Sequence, residues 1–353
     1  MKMKESTLEH AFEAISSKKG VSSAVFRVEN GDGSFFWSKS YGEMHEDDRY
    51  FIASVTKLYI TTIILMLVNQ GKLKLQDPIR KYLPDDMITG LHVIKEVDYS
   101  QDITIKHLIS NTSGLPDYFF HKLPNGKTFA SNILEGVDVS LSLEDTIRYV
   151  KDFTPKFPPG KKGKAAYSDT NYQLLQKIIE VVCDQPLSEV FQKRIFDRLD
   201  LKHTYAYTDI TDTRPVPYNY GMKKLWVPKY MATITGEGGI VSTAKEVMVH
   251  TKSFFQGEFF AKEEIESLKQ WNIILPPPSL FYFGVGLEKL FVPRIISPLK
   301  PIGEILGFWG QTGSFAFYHP KTDLYFSGTT NQINGAGHAA ALKAMLRIIK
   351  SQL

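Results

Sequence analysis

The longest apolar run of the chain lies at residues 58–68, where Leu58, Ile60, Ile63, Ile64, Leu65, Leu67 and Val68 are interrupted only by short polar side chains such as Thr61 and Thr62. A helix without a polar face belongs inside a molecule, and Gly71 offers it a natural stop. The pattern thus predicts a buried helix from about Ser54 to Gln70. Apolar residues recur at helical spacing over 103–108, 143–153, 171–183 and 187–198. Amphipathic helices are also expected in the first twenty residues and, after Gly337, over 339–349. Two β-branched and aromatic segments, 21–29 and 34–42, are joined by Asn30-Gly31-Asp32-Gly33, a strong hairpin signal. Residues 282–291, 313–318 and 323–329 also read as strands, the last two turning at His319-Pro320-Lys321-Thr322.

Strand signals thus sit at the two ends, and helical periodicity dominates from about 70 to 230. The economical arrangement is an α+β fold. In it, residues 1–70 and 231–353 form one antiparallel sheet flanked by the N- and C-terminal helices. Residues 71–230 form a mainly helical insertion, and the site is expected in the cleft between the two parts. A length of 353 residues is ample for such a core.

Composition narrows the partners. Hydrophobic residues make up 43% and charged residues 23%, the balance of a soluble globular protein. The net charge of +4 comes from scattered basic residues, so nucleic acid is not expected as a partner. A single cysteine, Cys183, excludes an internal disulfide and is expected as a buried, inert thiol in the run IIEVVC. Glu5, Glu9, His10 and Glu13 break the apolar stretch that a signal peptide needs, and the run at 58–68 is far short of the ~20 residues of a membrane span. A cytoplasmic location without a membrane span is the expectation. Gly160-Lys161-Lys162-Gly163-Lys164 reads as a solvated basic turn.

Several motifs fail when tested. There is no HExxH or CxxC for a metal and no GxSxG elbow, and the sequence ahead of Gly126-Lys127-Thr128 lacks the upstream glycine of a phosphate loop. No metal or cofactor is expected. What remains is Ser54-Val55-Thr56-Lys57 at the start of the apolar helix. A spacing of three puts both side chains on one face. The helix start offers free N–H groups and a positive dipole end to developing negative charge, and an apolar setting disposes Lys57 to share or remove the serine proton. Ser-x-x-Lys also occurs at Ser16-Lys19, Ser242-Lys245 and Ser297-Lys300, but only the copy at 54 opens a long apolar helix.

With these residues in hand, the chain resembles the family of class C serine β-lactamases, penicillin-binding D-Ala-D-Ala carboxypeptidases and related esterases. The resemblance rests on seven segments in the family's order: FIASVTK, LVNQGKLKLQDPIRKYLP, ITIKHLISNTSGLPDY, YSDTNYQLL, GEGGIVSTAKEV, FGVGLE and GQTGS. It implies a β-lactamase/transpeptidase-like fold and an acyl-enzyme on Ser54. It further implies that Tyr167 is a second basic partner, its phenol drawn toward working pH by the Lys57 ammonium. The backbone N–H groups of Ser54 and Ser314 would form an oxyanion hole, worth ~3–4 kcal/mol per donor. Gln311-Thr312-Gly313 would line the substrate where the family carries a Lys/His-Thr-Gly strand.

Two departures shape the expected substrate. Asp169 stands where the family usually has Asn. It either pairs with Lys57, favouring the ammonium and leaving more proton transfer to Tyr167, or caps the following helix. Gln311 replaces a cation that faces the substrate carboxylate, a loss of ~1.5–3 kcal/mol of charge-assisted hydrogen bonding. Lys223, Lys224 and Lys229 are candidate substitutes. The sequence therefore favours a small neutral ester or amide over a β-lactam or D-Ala-D-Ala peptide, with a silent binding protein as an alternative of another class. Tyr118, Phe119, Phe120, Tyr218, Tyr220, Trp226 and Tyr230 edge the expected cleft loops, as contacts for an apolar acyl group or as local packing. Oligomeric state is unreadable.

Overall fold

The computed structural model describes residues 3–123, 125–274, 281–333 and 335–353. Helix α1 (Glu5–Ser16) buries Leu8, Ala11, Phe12 and Ile15. Strands β1 (Ala24–Asn30) and β2 (Phe36–Tyr41) then form the expected hairpin, in register from Ala24 with Tyr41 to Glu29 with Phe36. Asn30 closes its turn, donating to Asp32 Oδ1 at 2.6 Å and accepting from the Phe35 amide at 2.8 Å.

Strand β3 (Tyr50–Phe51) leads to helix α2 (Thr56–Asn69), in which every residue from Thr56 to Leu67 is buried. Its six Leu and Ile side chains in that span each contribute roughly 1.5–3 kcal/mol by leaving water, which fixes the helix at the centre of the molecule. Helices α3 (Ile105–Ile109), α4 (Phe129–Glu135), α5 (Leu143–Lys151), α6 (Asp169–Cys183) and α7 (Leu187–Phe191) follow. The Gly126-Lys127-Thr128 segment is a helix entry: the Thr128 hydroxyl accepts from the Ser131 amide at 2.9 Å and caps α4. Past strand β4 (Tyr205–Ala206), strand β5 (Ile240–Ser242) and helix α8 (Ala244–Gln256) come further strands of the main sheet, β6 (Asn272–Ile273), β7 (Phe281–Phe283), β8 (Glu288–Val292), β9 (Gly303–Trp309), β10 (Ser314–His319) and β11 (Leu324–Thr329). Helix α9 (Gly335–Gln352) ends the chain.

The main sheet has eight antiparallel strands in the order β6-β7-β8-β9-β10-β11-β1-β2, so the N-terminal hairpin pairs with the last strand of the sequence. Both faces are covered, and period-two alternation sorts side chains between them. Phe26, Val28, Phe315, Phe317 and Phe326 join α1 and α9 in one core, while Val25, Ala316 and Tyr325 join α2, α8 and the helices of 71–230 in another. A second sheet, β3-β5-β4, ties residues 205–206 to the segment that enters α2.

Three expectations are corrected. The segment 282–291 is two strands, because Gly284 and Gly286 turn the chain where the Gly284 amide bonds the Leu287 carbonyl at 2.8 Å. Strand β9 escaped notice because both its faces are buried and its apolar residues run on without alternation. Cys183 is half-buried and its thiol is pushed up by that burial, so it is not the fully enclosed side chain expected. The predicted helix at 187–198 is the short α7 continued by one π-helical turn, Gln192–Phe196.

Two residues around α2 carry testable consequences. Gly286 has φ +64, and a Cβ there would lie 2.1 Å from Thr61 Oγ1, a side chain that itself donates to the Gly286 carbonyl at 2.9 Å. Gly286→Ala is expected to lower stability by roughly 2–4 kcal/mol through strain and overpacking; an unshifted midpoint in chemical denaturation would refute this. His250, stacked on Tyr59 at 3.5 Å, is buried, which pushes its pKa down to about 3. Its folded value is depressed, so its contribution is complete above the unfolded value of about 6.5 and is lost as pH falls toward 3. His250→Phe is expected to flatten the pH dependence of stability between pH 6 and 4 by about 1.4 kcal/mol per pH unit. Denaturation curves of both proteins at several pH values check it; parallel slopes would count against it.

Candidate active site

After β3 the chain passes through Ile52 into a single 3₁₀ turn, Ala53–Val55, before α2 begins. Ser54 therefore sits just ahead of the long helix and not within it. Ala53 has φ +46, a left-handed conformation that costs an L residue roughly 1–2 kcal/mol. Such strain survives only where neighbours impose it. Here the Thr312 hydroxyl donates to the Phe51 carbonyl at 2.9 Å and the Ser314 hydroxyl to the Ile52 carbonyl at 2.5 Å. Gly310 allows this approach, since a Cβ there would stand 2.4 Å from the Ile52 carbonyl oxygen. The Gln311-Thr312-Gly313-Ser314 segment is thereby clamped alongside Ser54.

Lys57 has no exposed surface. Its Nζ donates to Ser54 Oγ at 3.0 Å and to the Glu237 carbonyl at 2.7 Å, and lies 2.7 Å from Asp169 Oδ1. The ammonium thus has two hydrogen-bond acceptors and one carboxylate that balances its charge. On its other side Ser54 Oγ shares a hydrogen bond of 2.7 Å with the Tyr167 hydroxyl. Residues 54, 57, 167 and 169 thus meet, from segments 110 residues and more apart in sequence, as expected. Of the two readings for Asp169, pairing is the one observed: Ser168 is the N-cap residue, and Asp169 opens α6 with its carboxylate turned to the lysine.

Tyr167 departs from expectation in its chemistry. Burial, followed by the nearby Asp169 carboxylate, pushes its phenol well above its ordinary value, with only the Ser54 hydrogen bond acting the other way. The phenol is therefore neutral at working pH. Asp169 neutralises the ammonium that was expected to draw it down.

Three acids unremarked in the sequence surround this group. Asp117, in the segment LPDY, is pushed up to about 8 by burial and by Asp169. Glu288, which ends FGVGLE and accepts from the Trp309 amide at 2.8 Å, is also pushed up to about 8 by burial. Glu237, between the glycines of GEGG, is pushed well above the carboxylate range by burial and then by Asp169. A lone acid in an otherwise apolar or glycine-rich segment was the available signal.

The cleft over Ser54 is walled by Phe119, Ala130, Ile133, Tyr218, Tyr230, Met231 and Ile234, with Asp169, Glu237, Gln311 and Thr312 as its main polar groups. Phe119 stacks on Tyr230 at 5.6 Å. Tyr118 and Trp226 pack inside, and Phe120 and Tyr220 are exposed, so the loop aromatics divide between the two expected roles. No Lys or Arg lines the cleft among the described residues. Lys223 is held by the Glu135 carbonyl at 2.7 Å, Lys224 by Glu43 at 2.7 Å, and Lys229 is exposed outside the cleft. The other Ser-x-x-Lys copies are structural: Ser16 ends α1, Ser242 bonds Thr204 at 2.7 Å, and Ser297 donates to the Lys300 carbonyl at 2.5 Å. Among the described residues no group of side chains is suited to a metal ion, and no helix is long and apolar enough to cross a membrane.

Comparison with known proteins bears on the fold and the family. The chain is 24% identical over 286 residues to penicillin-binding protein 4* of Bacillus subtilis, an alignment covering 75% of this chain and 59% of that protein. It spans between 33% and 59% of the length of the curated relatives it matches. Among solved structures, a D-stereospecific amidohydrolase from Streptomyces sp. superposes with a TM-score of 0.77 at 21% identity over 99% of both chains. EstCE1, a hydrolase with promiscuous acyltransferase activity, gives 0.77 at 21% identity over 98% of this chain and 99% of its own. The Beta-lactamase family model matches residues 8–348, nearly the whole length, and the chain belongs to that family.

Proposed function

We propose that this chain is a serine hydrolase that works through an acyl-enzyme on Ser54 and takes esters or amides with no carboxylate beside the scissile bond. The observation that carries the reading is the line of hydrogen bonds from Lys57 to Ser54 to Tyr167, at 3.0 and 2.7 Å, at the base of an otherwise apolar cleft. As Ser54 Oγ attacks the carbonyl, its proton passes to the Tyr167 oxygen while the phenol hands its own proton to the leaving oxygen or nitrogen. A neutral phenol suits this relay, because no phenolate has to form. Lys57, ion-paired with Asp169, stabilises the negative charge that grows on Ser54 Oγ. The amides of Ser54 and Ser314 would receive the carbonyl oxygen, a reading supported by the hydrogen bond from the Ser314 hydroxyl to the Ile52 carbonyl. Water then releases the acyl group by the same relay in reverse.

The neutral Gln311 and the lack of a free cation in the cleft wall among the described residues support carboxylate-free substrates. The names of the amidohydrolase and of EstCE1 fit amide and acyl-transfer chemistry. A β-lactamase or D-Ala-D-Ala carboxypeptidase is the second reading, favoured by the name of the Bacillus relative.

Incubation with a fluorophosphonate, followed by peptide mass spectrometry, is expected to show an adduct on Ser54 that Ser54→Ala abolishes; an unlabelled Ser54 beside a labelled control hydrolase would overturn the catalytic reading. In parallel assays, kcat/KM for a simple carboxylic ester is expected to exceed that for penicillin or a D-Ala-D-Ala peptide by at least about tenfold, and the reverse order would establish the second reading. Tyr167→Phe removes the relay atom and is expected to lower kcat by roughly 10²–10⁴ with a smaller change in KM. A loss below about threefold in steady-state kinetics would exclude a relay through that phenol.

A further inference from the structure

The Glu237 side chain has no part in the relay. Its backbone is fixed: the Ile234 carbonyl accepts from the amides of Glu237, Gly238 and Gly239 at 3.1, 2.9 and 2.8 Å, and the Gly236 amide donates to Gln176 Oε1 at 2.9 Å. The carboxyl is held from behind, where the Tyr118 hydroxyl and the Gln173 amide both donate to Oε1. Neither of those residues lines the cleft, whereas Glu237 does. Oε2 has no partner, although the residue is only 3% exposed. Leaving a polar oxygen buried and unsatisfied is costly, and natural structures rarely do so without a reason.

The charges around that oxygen say what would satisfy it. Asp169, Glu237 and Asp117 cluster about one cation, Lys57, which already donates to Ser54 and the Glu237 carbonyl and is ion-paired with Asp169. The cleft wall holds acids and no free base among the described residues. A ligand carboxylate would meet the Asp169 carboxylate there with no free cation among the described residues to pair with. A ligand ammonium would draw Glu237, which burial keeps neutral in the free protein, into its carboxylate form, for which Tyr118 and Gln173 already supply donors. The backbone carbonyl of Glu237 is joined to Ser54 through Lys57, and Ser54 and Glu237 line the same cleft.

We propose that Glu237 is a substrate-binding residue that recognises a protonated amine on the acyl part of the substrate, which narrows the substrate class to amino-acyl amides and esters. The assignment rests on the hydrolase reading of Ser54 and is tested separately from it. Alanine p-nitroanilide, as either enantiomer, is compared with isobutyryl p-nitroanilide, in which a methyl group replaces the ammonium at nearly equal volume. The wild-type protein is expected to favour the better alanine enantiomer by at least about tenfold in kcat/KM, as a charge-assisted hydrogen bond in a dry site requires. Glu237→Gln is expected to reduce that ratio to about threefold or less. In the wild type, n-butylammonium should slow fluorophosphonate labelling of Ser54 and n-butanol should not, an arm that decides the matter even where the variant fails to fold. Equal use of the two anilides, an undiminished preference in a folded Glu237→Gln protein, or equal effects of the two butyl compounds would each overturn the assignment. Labelling of Ser54 in those cases would leave the hydrolase reading standing, whereas no labelling at all would remove both.

Discussion

Lys57 is a cation with no exposed surface, set at the start of a helix whose next turns are apolar. Burying an ammonium without partners costs far more than a fold of ordinary stability can supply. Each neighbour of Nζ is brought by a different part of the chain: Ser54 by the turn ahead of α2, Asp169 by the start of α6, and the Glu237 carbonyl by the glycine-rich loop before β5. The mutual arrangement of these three segments is therefore tied to the satisfaction of one charge. A helix register shift or a displaced loop would strand it, which is why the same contacts that hold the site also hold these segments together.

The surroundings of that pair work against stability at neutral pH. Asp117 and Glu288 are held at about 8 by burial. A carboxyl whose folded value is raised contributes stability below its ordinary value and loses it as pH rises toward the raised one. The site thus lowers the stability of the fold at pH 7, and the burial of α2 and of the two cores on either side of the sheet offsets that cost. Groups kept neutral in this way leave the Lys57 and Asp169 pair as the main formal charges at the base of the cleft. In the proposed mechanism, this concentrates the field of the ammonium on Ser54 Oγ.

Strain and clamp are likewise coupled. Ala53 would relax from its left-handed conformation if the Thr312 and Ser314 hydroxyls did not hold the carbonyls of Phe51 and Ile52. The edge of β10 therefore has two tasks, completing the sheet beside β11 and aiming Ser54 at the cleft. It also ties the two ends of the chain, since β11 pairs with β1. A cleft built on such elements is preorganised.

Local patterns determined a good deal. Wholly apolar periodicity placed α2 inside, Asn30-Gly31-Asp32-Gly33 set the first hairpin, and Ser54, Lys57 and Tyr167 were legible because motif order survives divergence better than any single residue. Short-range chemistry of this kind is written in neighbouring residues. Only the tertiary structure decided the rest, because it depends on distance and burial between remote segments. Strand β9 was hidden by being covered on both faces, and the break at Gly284–Gly286 by a close approach to Thr61. The direction of the Tyr167 shift reversed because a carboxylate and burial outweigh one paired ammonium. Asp117, Glu237 and Glu288 stand singly in apolar or glycine-rich segments of the sequence, and what makes them part of a site is their burial, which no local pattern records.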